Sequence, residues 1–361
     1  MEYADHMLLQ ILRDPGKMAT LSLSAWDMLK PQARSTLVIA KIATLAHELG
    51  IMDRLPAQVV PHMKSAHVIG ARHDRVVRWE VNRIQRALHD VDTPIVLLKG
   101  AAYAMSNLNC AKGRVYGDTD ILVLKEKIDD VEQALAEHGW GVDEDNEYHE
   151  KYFRTWLHEL PPMRHCERNT VIDVHHTILP LTDTLRVNPQ LLFESAIPIE
   201  GTKVFVLSPP DMVLHSAAHL FRNGDFDHGL RDLADLDGLL RQFSEQDGFW
   251  DSVLDRARKL DLTLPWFCAM RYVQLLFHTP IPDEVKKTVN KWSPPWPGVR
   301  IIDRLVPRAV LPEKVDETDR HREMAVNLLA HWPMPRLKTM MTSVFWVKRM
   351  PWFAKDKEEA A

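Results

Sequence analysis

The sequence predicts an α+β fold in which a small mixed sheet is flanked by N-terminal and C-terminal helical regions. Apolar residues recur at helical spacing in the first part of the chain and again toward its end. Short apolar runs typical of strands cluster between these parts and alternate with helical patterns, which indicates one small sheet packed against helices. We therefore predict helical residues 1–91, a mixed core over 92–207, and helical residues 208–361.

Composition limits the class of protein. A chain of 361 residues that is 45% hydrophobic can bury a full core. Its formal charge of −5 argues against a protein whose main partner is nucleic acid. Three widely separated cysteines without a CxxC pair suit buried thiols in a reducing cytoplasm. We expect a cytoplasmic protein with no transmembrane segment, because the acidic N-terminus is unlike a signal peptide and no apolar run approaches the roughly 18 residues of a span.

Residues 1–91 are predicted to be helical. Val38, Ile42 and Leu45 recur at helical spacing, and Gly50 is a suitable stop. A second helix is predicted over 67–89, and five of its residues outside the apolar stripe are arginines: Arg72, Arg75, Arg78, Arg83 and Arg86. Such a charge run is typical of a solvated helical face; the alternative is a positive wall beside a phosphate site.

The middle region begins at a break marked by Pro94. Strands are predicted over 95–98, 118–124, 152–156, 163–167 and 171–178, and a hairpin over 197–207. Amphipathic patterns predict helices over 100–107 and 127–138. Beyond Ser208, a suitable helix cap, the pattern is helical again. The aromatic and basic stretch 345–353 is interpreted as part of a packed final helix, with contact to a membrane surface or partner as the alternative.

Three acids in the predicted sheet carry the functional hypothesis. Asp118 and Asp120 stand two residues apart in a strand and therefore project from one face. Such pairs also occur as simple turn caps, but adjacent carboxylates repel each other, and a shared cation relieves the repulsion. Asp173 lies in an otherwise apolar strand, where an unpaired carboxylate is costly to bury. If the two strands are neighbours, three oxygen-donor side chains converge, and such ligands favour magnesium over zinc.

Several stretches together resemble the uncharacterised nucleotidyltransferase family of the DNA polymerase beta superfamily. They are Leu98-Lys99-Gly100, then Arg114, then residues 117–123 (GDTDILV), and then Ile172-Asp173-Val174-His175. The family pattern is an LKG turn, an Arg shortly before GDxDLLV, and a later strand of the form xDxHW. The resemblance covers about residues 80–245. This chain departs from the pattern at Thr119 and at His176, which stands in the Trp place.

The resemblance implies a nucleotidyltransferase core and a reaction. A nucleoside monophosphate would pass from a nucleoside triphosphate such as ATP to a hydroxyl acceptor, with release of pyrophosphate. Asp118, Asp120 and Asp173 would hold two Mg²⁺ ions. Asp173 would also help to deprotonate the attacking hydroxyl. We expect the acceptor to be a small molecule, because the acidic charge disfavours nucleic acid.

The resemblance also implies a phosphate-binding set made of Lys99, Gly100, Arg114 and Gly117. Gly100 would open a helix whose backbone N–H groups face the triphosphate. Relatives usually carry Gly-Ser or Gly-Gly at this turn, so we infer that the charge of Lys99 replaces the missing hydroxyl. Arg114 is either a phosphate or transition-state clamp or a solvated loop residue.

Two other functions stay open on the sequence. A degenerate protein that binds nucleotide without turnover is motivated by the missing serine after Gly100. A toxin-like transferase that modifies RNA or a partner protein is motivated by the arginines of 72–86. Among the histidines, His215 and His219 have a spacing that can ligate zinc but lack the glutamate of a metalloprotease motif, so we expect them to line the boundary between helices and sheet. We expect His175 to orient Asp173.

Overall fold

The structure is a computed structural model that describes residues 6–142, 158–222, 226, 228–312, 324, 325 and 329. The strand predicted over 152–156 and the final helix containing residues 345–353 lie outside the described residues.

Seven short strands form one mixed sheet in the described part of the chain. They are β1 (Ile95–Leu97), β2 (Asp118–Leu122), β3 (Trp140–Val142), β4 (Met163–His165), β5 (Val171–His175), β6 (Ile197–Pro198) and β7 (Val204–Val206). Their order is β3-β4-β5-β2-β1-β7-β6, which puts β5 and β2 at the centre. The predicted fold class, a small mixed sheet flanked by helices, is confirmed.

Parallel pairing is confined to two places in this sheet. β2 runs parallel to β5, and β1 runs parallel to β7. The remaining pairs, β1 with β2, β3 with β4, β4 with β5 and β6 with β7, are antiparallel. The central strands are apolar where they meet the core: Val96, Ile121 and Ile172 are fully buried. Sequence patterning missed β3, because a strand of three residues with Gly141 in its middle carries almost no periodic signal.

Helices precede the sheet in the sequence. They are α1 (Met7–Arg13), α2 (Leu23–Ser35), α3 (Ile39–Glu48) and α4 (Val60–Ala87). The Ser22 hydroxyl caps α2 by accepting a hydrogen bond from the Ala25 amide at 3.2 Å. α4 begins earlier than its predicted start at residue 67. Pro61 occupies its first turn, where a missing amide hydrogen costs nothing.

Among the described residues, three helices lie within the core region and six follow it. The first group is α5 (Lys99–Met105), α6 (Ile128–Glu137) and α7 (Pro189–Glu194). The second is α8 (Pro209–Arg222), α9 (Gly229–Phe243), α10 (Phe249–Lys259), α11 (Thr263–Phe277), α12 (Asp283–Asn290) and α13 (Trp296–Val310). Short 3-10 helices cover Pro15–Thr20, Met52–Arg54, Asn109–Ala111 and Lys125–Lys127. None of the described helices has the length and apolarity that crossing a membrane requires.

α5 connects the sheet with the helices that follow it. This helix packs against β2, α4 and α8, and the 3-10 helix after it packs against α9. The buried apolar side chains of sheet and helices form one continuous core. The face of β2 that carries the acids therefore lies beside α5, and residues of α8 and α9 lie near it.

Candidate active site

The pairing of β2 with β5 brings the three predicted acids together. Asp118 and Asp120 project from the same face of β2 because they are two residues apart. In the parallel register Asp120 lies directly opposite Asp173. Cross-strand neighbours share a face, so Asp173 joins the other two carboxylates. We refer to Asp118, Asp120 and Asp173 as the aspartate cluster.

Asp120 is the most enclosed member of the cluster, with 3% of its surface exposed. Its Oδ1 accepts hydrogen bonds from Lys99 Nζ at 2.7 Å and from His175 Nε2 at 3.1 Å. Burial opposes ionisation, but the charges of Lys99 and His175 outweigh it and hold the pKa of Asp120 well below its usual range. Asp120 therefore ionises more readily than an ordinary aspartate.

Asp173 has the opposite environment. Its Oδ1 is buried and has no hydrogen-bond partner among the described residues. Burial, followed by the charges of Asp120 and Asp118, raises the pKa of Asp173 to about 7. The charge of Asp120 is also the main cause that raises the pKa of Asp118, which is exposed at the edge of the cluster. The cluster thus holds more negative charge than its protein neighbours compensate.

Lys99 reaches the cluster because of its backbone. It follows β1, where the Leu98 amide donates to the Asp120 carbonyl oxygen at 3.0 Å. Its φ is +44°, a left-handed conformation that is unusual for a residue with a side chain. Such strain is often found at functional sites, and here it accompanies the buried ion pair with Asp120.

Arg114 is buried and paired with residues of α9. Its Nε donates to Asp235 Oδ2 at 2.7 Å, and its Nη2 lies 3.9 Å from Asp232 Oδ1. Asp235 also accepts a hydrogen bond from Lys41 Nζ at 3.1 Å. The hydrogen bond of this guanidinium therefore goes to Asp235 and not to the aspartate cluster, and sequence reasoning missed both Asp235 and Lys41. No sequence signal links these residues, because Arg114 and Lys41 lie 121 and 194 residues before Asp235 in the chain.

Gly100 and Gly117 have different surroundings. A Cβ at position 100 would collide with the guanidinium of Arg114, whose Cζ would be 2.9 Å away, and with Tyr116 Cδ1 at 2.7 Å. A Cβ at position 117 would meet nothing within 4 Å, although that residue adjoins Asp118. Gly100 is required by packing, whereas space is open beside Gly117.

We expect Gly100→Ala to destabilise the protein by about 1–3 kcal/mol. The added methyl would clash with the Arg114 guanidinium, which the hydrogen bond to Asp235 holds in place. Gly117→Ala is the matched control and should stay within about 0.5 kcal/mol of wild type. Urea unfolding of the three proteins measures the difference. Equal stability of both variants would show that Arg114 and Tyr116 relax freely.

A small cavity lies next to the cluster on the side of α8 and α9. Its volume is about 10 Å³, room for one water molecule. The lining residues are Lys99, Tyr103, Arg114, Ser216, His219, Asp232 and Asp235. A larger cavity of about 440 Å³ contacts α11 and α12 and contains none of the cluster. Gly117 and Asp118 are exposed, so the acids can be approached from solvent on their side.

His215 and His219 lie on α8 close to this small cavity. Burial, together with the charge of Lys99, lowers the pKa of both imidazoles well below the usual range, so both are neutral. They do not form a metal-ligating group with other described residues. Their position at the boundary between helices and sheet agrees with the expectation from the sequence.

His175 contacts a different acid from the one that sequence spacing suggested. We expected it to orient Asp173, but its Nε2 contacts Asp120 on the neighbouring strand. Its Nδ1 lies 3.0 Å from Glu159 Oε2. Burial would lower the pKa of His175, but the carboxylates of Asp120 and Glu159 raise it to about 9. His158 stacks on this ring, and burial lowers the pKa of His158 to about 3. Sequence reasoning missed His158 and Glu159.

The donor chemistry of the cluster suits a divalent cation. Asp118, Asp120 and Asp173 present only carboxylate oxygens, the ligands that Mg²⁺ prefers. The unpartnered Oδ1 of Asp173 is the specific feature that a cation would satisfy. The residues present therefore fit a magnesium site.

Comparisons with known proteins identify the family of this chain. The profile of a family described as uncharacterised nucleotidyltransferase matches residues 22–278. Among solved structures, the chain is similar to an antigenic nucleotidyltransferase-like protein from Paracoccidioides brasiliensis, with 12% identity, 59% of this chain and 93% of that chain covered, and a TM-score of 0.29. A search of curated proteins gave no match. The profile includes the whole aspartate cluster and extends beyond residues 80–245 at both ends. The chain belongs to the uncharacterised nucleotidyltransferase family.

Proposed function

We propose that this protein transfers a nucleoside monophosphate from a nucleoside triphosphate to a hydroxyl acceptor, with Mg²⁺ as cofactor and pyrophosphate as the second product. Family membership supports nucleotidyl transfer in general. The observation that carries the finer proposal is the unpartnered Oδ1 of Asp173 beside two further carboxylates. We place the reaction in the cytoplasm, and the free cysteines of the described chain suit that compartment.

Asp118, Asp120 and Asp173 are the proposed ligands of two Mg²⁺ ions. When bound, these ions supply charge neutralisation for the triphosphate and orientation of the reacting oxygens. Lys99 and His175 hold the charge of Asp120 in place at one end of the cluster. Asp118, at the exposed end, faces the side from which a triphosphate can approach.

The proposed chemistry is one in-line displacement. A bond forms between the acceptor oxygen and the α-phosphorus, while the bond from that phosphorus to the bridging oxygen breaks and pyrophosphate leaves. Asp173 takes the hydroxyl proton through the carboxylate oxygen that does not bind the cation, and the pKa of this carboxyl, about 7 in the metal-free protein, suits a general base. Positioning of the two substrates supplies the rest of the rate.

The phosphate-binding set remains a proposal for four residues. Gly117 leaves room for phosphate next to Asp118, and the charge of Lys99 lies within the same site. Gly100 adjoins Lys99 at the start of α5. For Arg114 to act as a clamp, its guanidinium has to exchange Asp235 for a phosphate oxygen. The acceptor is proposed to be a small molecule.

The direct test uses α-labelled triphosphates, Mg²⁺ and a small-molecule extract as the source of acceptors. Wild-type protein should form a labelled product and release pyrophosphate. The variant Asp118→Asn with Asp120→Asn should form none. Label that accumulates equally with this double variant overturns the proposal. Triphosphate binding by calorimetry without pyrophosphate release from any acceptor pool would replace it with the degenerate, binding-only function.

Gly117→Ala tests the approach of the nucleotide. The added methyl fills space that is open in the structure, so stability should not change, but a phosphate that approaches there would be obstructed. We expect a rise of about tenfold in the KM for triphosphate, which corresponds to about 1.4 kcal/mol. Initial rates across a triphosphate series measure it. An unchanged KM would move the phosphate site away from Gly117.

A further inference from the structure

A second cluster of metal-ligating side chains lies beside the aspartate cluster. The chain at 158–160 pairs with the end of β5: the Leu160 amide donates to the Val174 carbonyl oxygen, and the His176 amide donates to the His158 carbonyl oxygen, both at 2.9 Å. An isolated antiparallel bridge joins Glu159 to His175. This pairing brings together residues that are 16 and 17 positions apart in the sequence.

The donor atoms of His158, Glu159 and His175 are close enough to bind one ion. One ligand atom from each residue lies within 4.8 Å of the others. Glu159 Oε2 is 3.0 Å from His175 Nδ1 and 4.0 Å from His158 Nε2. The two imidazole rings stack with centroids 5.1 Å apart. These separations are similar to those between the ligands of a single metal ion.

Buried nitrogens of both imidazoles are incompletely satisfied. His158 and His175 are 5% and 4% exposed. No described residue partners Nδ1 of His158, and Nδ1 of His175 has only the ion-pair contact with Glu159 Oε2 at 3.0 Å. Buried polar atoms are nearly always satisfied, so the unpartnered nitrogen of His158 indicates a missing partner. A metal ion between His175 Nδ1 and Glu159 Oε2 would replace their direct ion pair.

We propose that His158, Glu159 and His175 form a binding site for a transition-metal ion of the Zn²⁺ class. Two imidazoles and one carboxylate are a typical zinc ligand set, whereas magnesium prefers oxygen ligands throughout. Three protein ligands leave a fourth coordination position for water or a substrate oxygen. The site differs in donor chemistry from the aspartate cluster and does not depend on the proposed transfer reaction.

Asp120 supports this assignment from the opposite side of the ring. His175 Nε2 lies 3.1 Å from Asp120 Oδ1, so the imidazole can donate this N–H to the carboxylate, and a metal ion that binds at Nδ1 displaces the proton held there. A carboxylate on the distal nitrogen is the usual partner of a metal-bound histidine. The side chain of Glu159 is 21% exposed, which gives an ion a path from solvent. His175 therefore connects the two clusters.

The test is titration of Zn²⁺ alone into the full chain after dialysis against EDTA. Calorimetry should show one site. His158→Ala and Glu159→Gln should each weaken the binding by more than about tenfold. His62→Ala removes an exposed histidine from α4 and is the matched control, with unchanged binding expected. No binding to wild type, or wild-type affinity in both site variants, overturns the proposal.

Two further measurements separate this site from the aspartate cluster and from misfolding. Asp118→Asn with Asp173→Asn should abolish transfer and still bind one Zn²⁺, so loss of zinc in that variant would assign the ion to the aspartates and overturn the proposal. Long-range ¹H–¹⁵N spectra of the wild-type protein need no variant. Addition of Zn²⁺ should shift the nitrogens of two histidine rings, and no shift at any ring would also overturn the proposal.

Discussion

Asp173→Asn should abolish nucleotidyl transfer and yet leave a protein at least as stable as wild type. The substitution preserves side-chain volume and removes a charge that burial, Asp120 and Asp118 all oppose. No described residue makes a hydrogen bond to Oδ1 that would compensate this charge. We expect transfer to fall by about 10²- to 10⁴-fold, the range for loss of a general base. We expect a gain of about 1 kcal/mol in unfolding free energy, as is common when an active-site group costs stability.

Single-turnover assays and urea unfolding measure the two effects on the same preparations. Asp90→Asn serves as the matched control, because that carboxylate is fully exposed in the loop between α4 and β1. It should change neither quantity. A variant at 173 that retains more than about a tenth of the wild-type rate would remove Asp173 from the chemistry. A large loss of stability would show that its charge is compensated in the folded protein.

The sequence was sufficient to predict one part of this site. Alternation along a strand is local, so the common face of Asp118 and Asp120 followed directly from their spacing. The apolar neighbours of Asp173 likewise identified a buried strand with one costly acid. Their convergence was conditional, because it depends on β2 pairing with β5 in parallel across some 50 residues. A one-residue change in that register would send Asp173 to the opposite face.

The environment of the cations could not be predicted in the same way. Lys99 and Arg114 occupy motif positions, and the motif suggested phosphate as the partner of each. In the structure Lys99 pairs with Asp120, and Arg114 pairs with Asp235 of α9. Both partners come from other elements of the fold. The Arg114–Asp235 pair depends on the packing of α9 against the 3-10 helix Asn109–Ala111, which the residues around Lys99 and Arg114 do not encode. The same packing places Arg114 against Gly100 and leaves no space there for a Cβ.

The histidines illustrate the same limit. His215 and His219 attracted attention because their i,i+4 spacing is visible in the sequence, but they form no ligand group with described residues. His158 and Glu159 carry no helical or motif spacing relative to His175. They become neighbours through an antiparallel pairing at the end of β5. Sequence periodicity can identify ligands that lie on one helix or strand. Ligands contributed by different strands can be identified only when the pairing register of those strands is known.

Asp235→Asn should be among the most destabilising isosteric substitutions in the described chain. Asp235 is 1% exposed and neutralises two buried cations, Arg114 at 2.7 Å and Lys41 at 3.1 Å. Removal of its charge leaves both cations without their main counter-ion in a buried site. Breaking a buried ion pair in this way costs about 3–5 kcal/mol. Urea unfolding monitored by circular dichroism measures the loss.

Two comparisons separate the effect of charge from the effect of packing at Asp235. Asp255→Asn breaks an exposed pair with Lys259 and should change stability by no more than about 0.5 kcal/mol. Lys41→Met, added to Asp235→Asn, removes one of the two uncompensated cations and should restore part of the loss. If the double variant is no more stable than Asp235→Asn, the cost comes from shape and not from charge. If Asp235→Asn lowers the unfolding free energy by less than about 1 kcal/mol, the two cations are hydrated in the variant. Arg114 could then leave Asp235 of α9 to bind a phosphate.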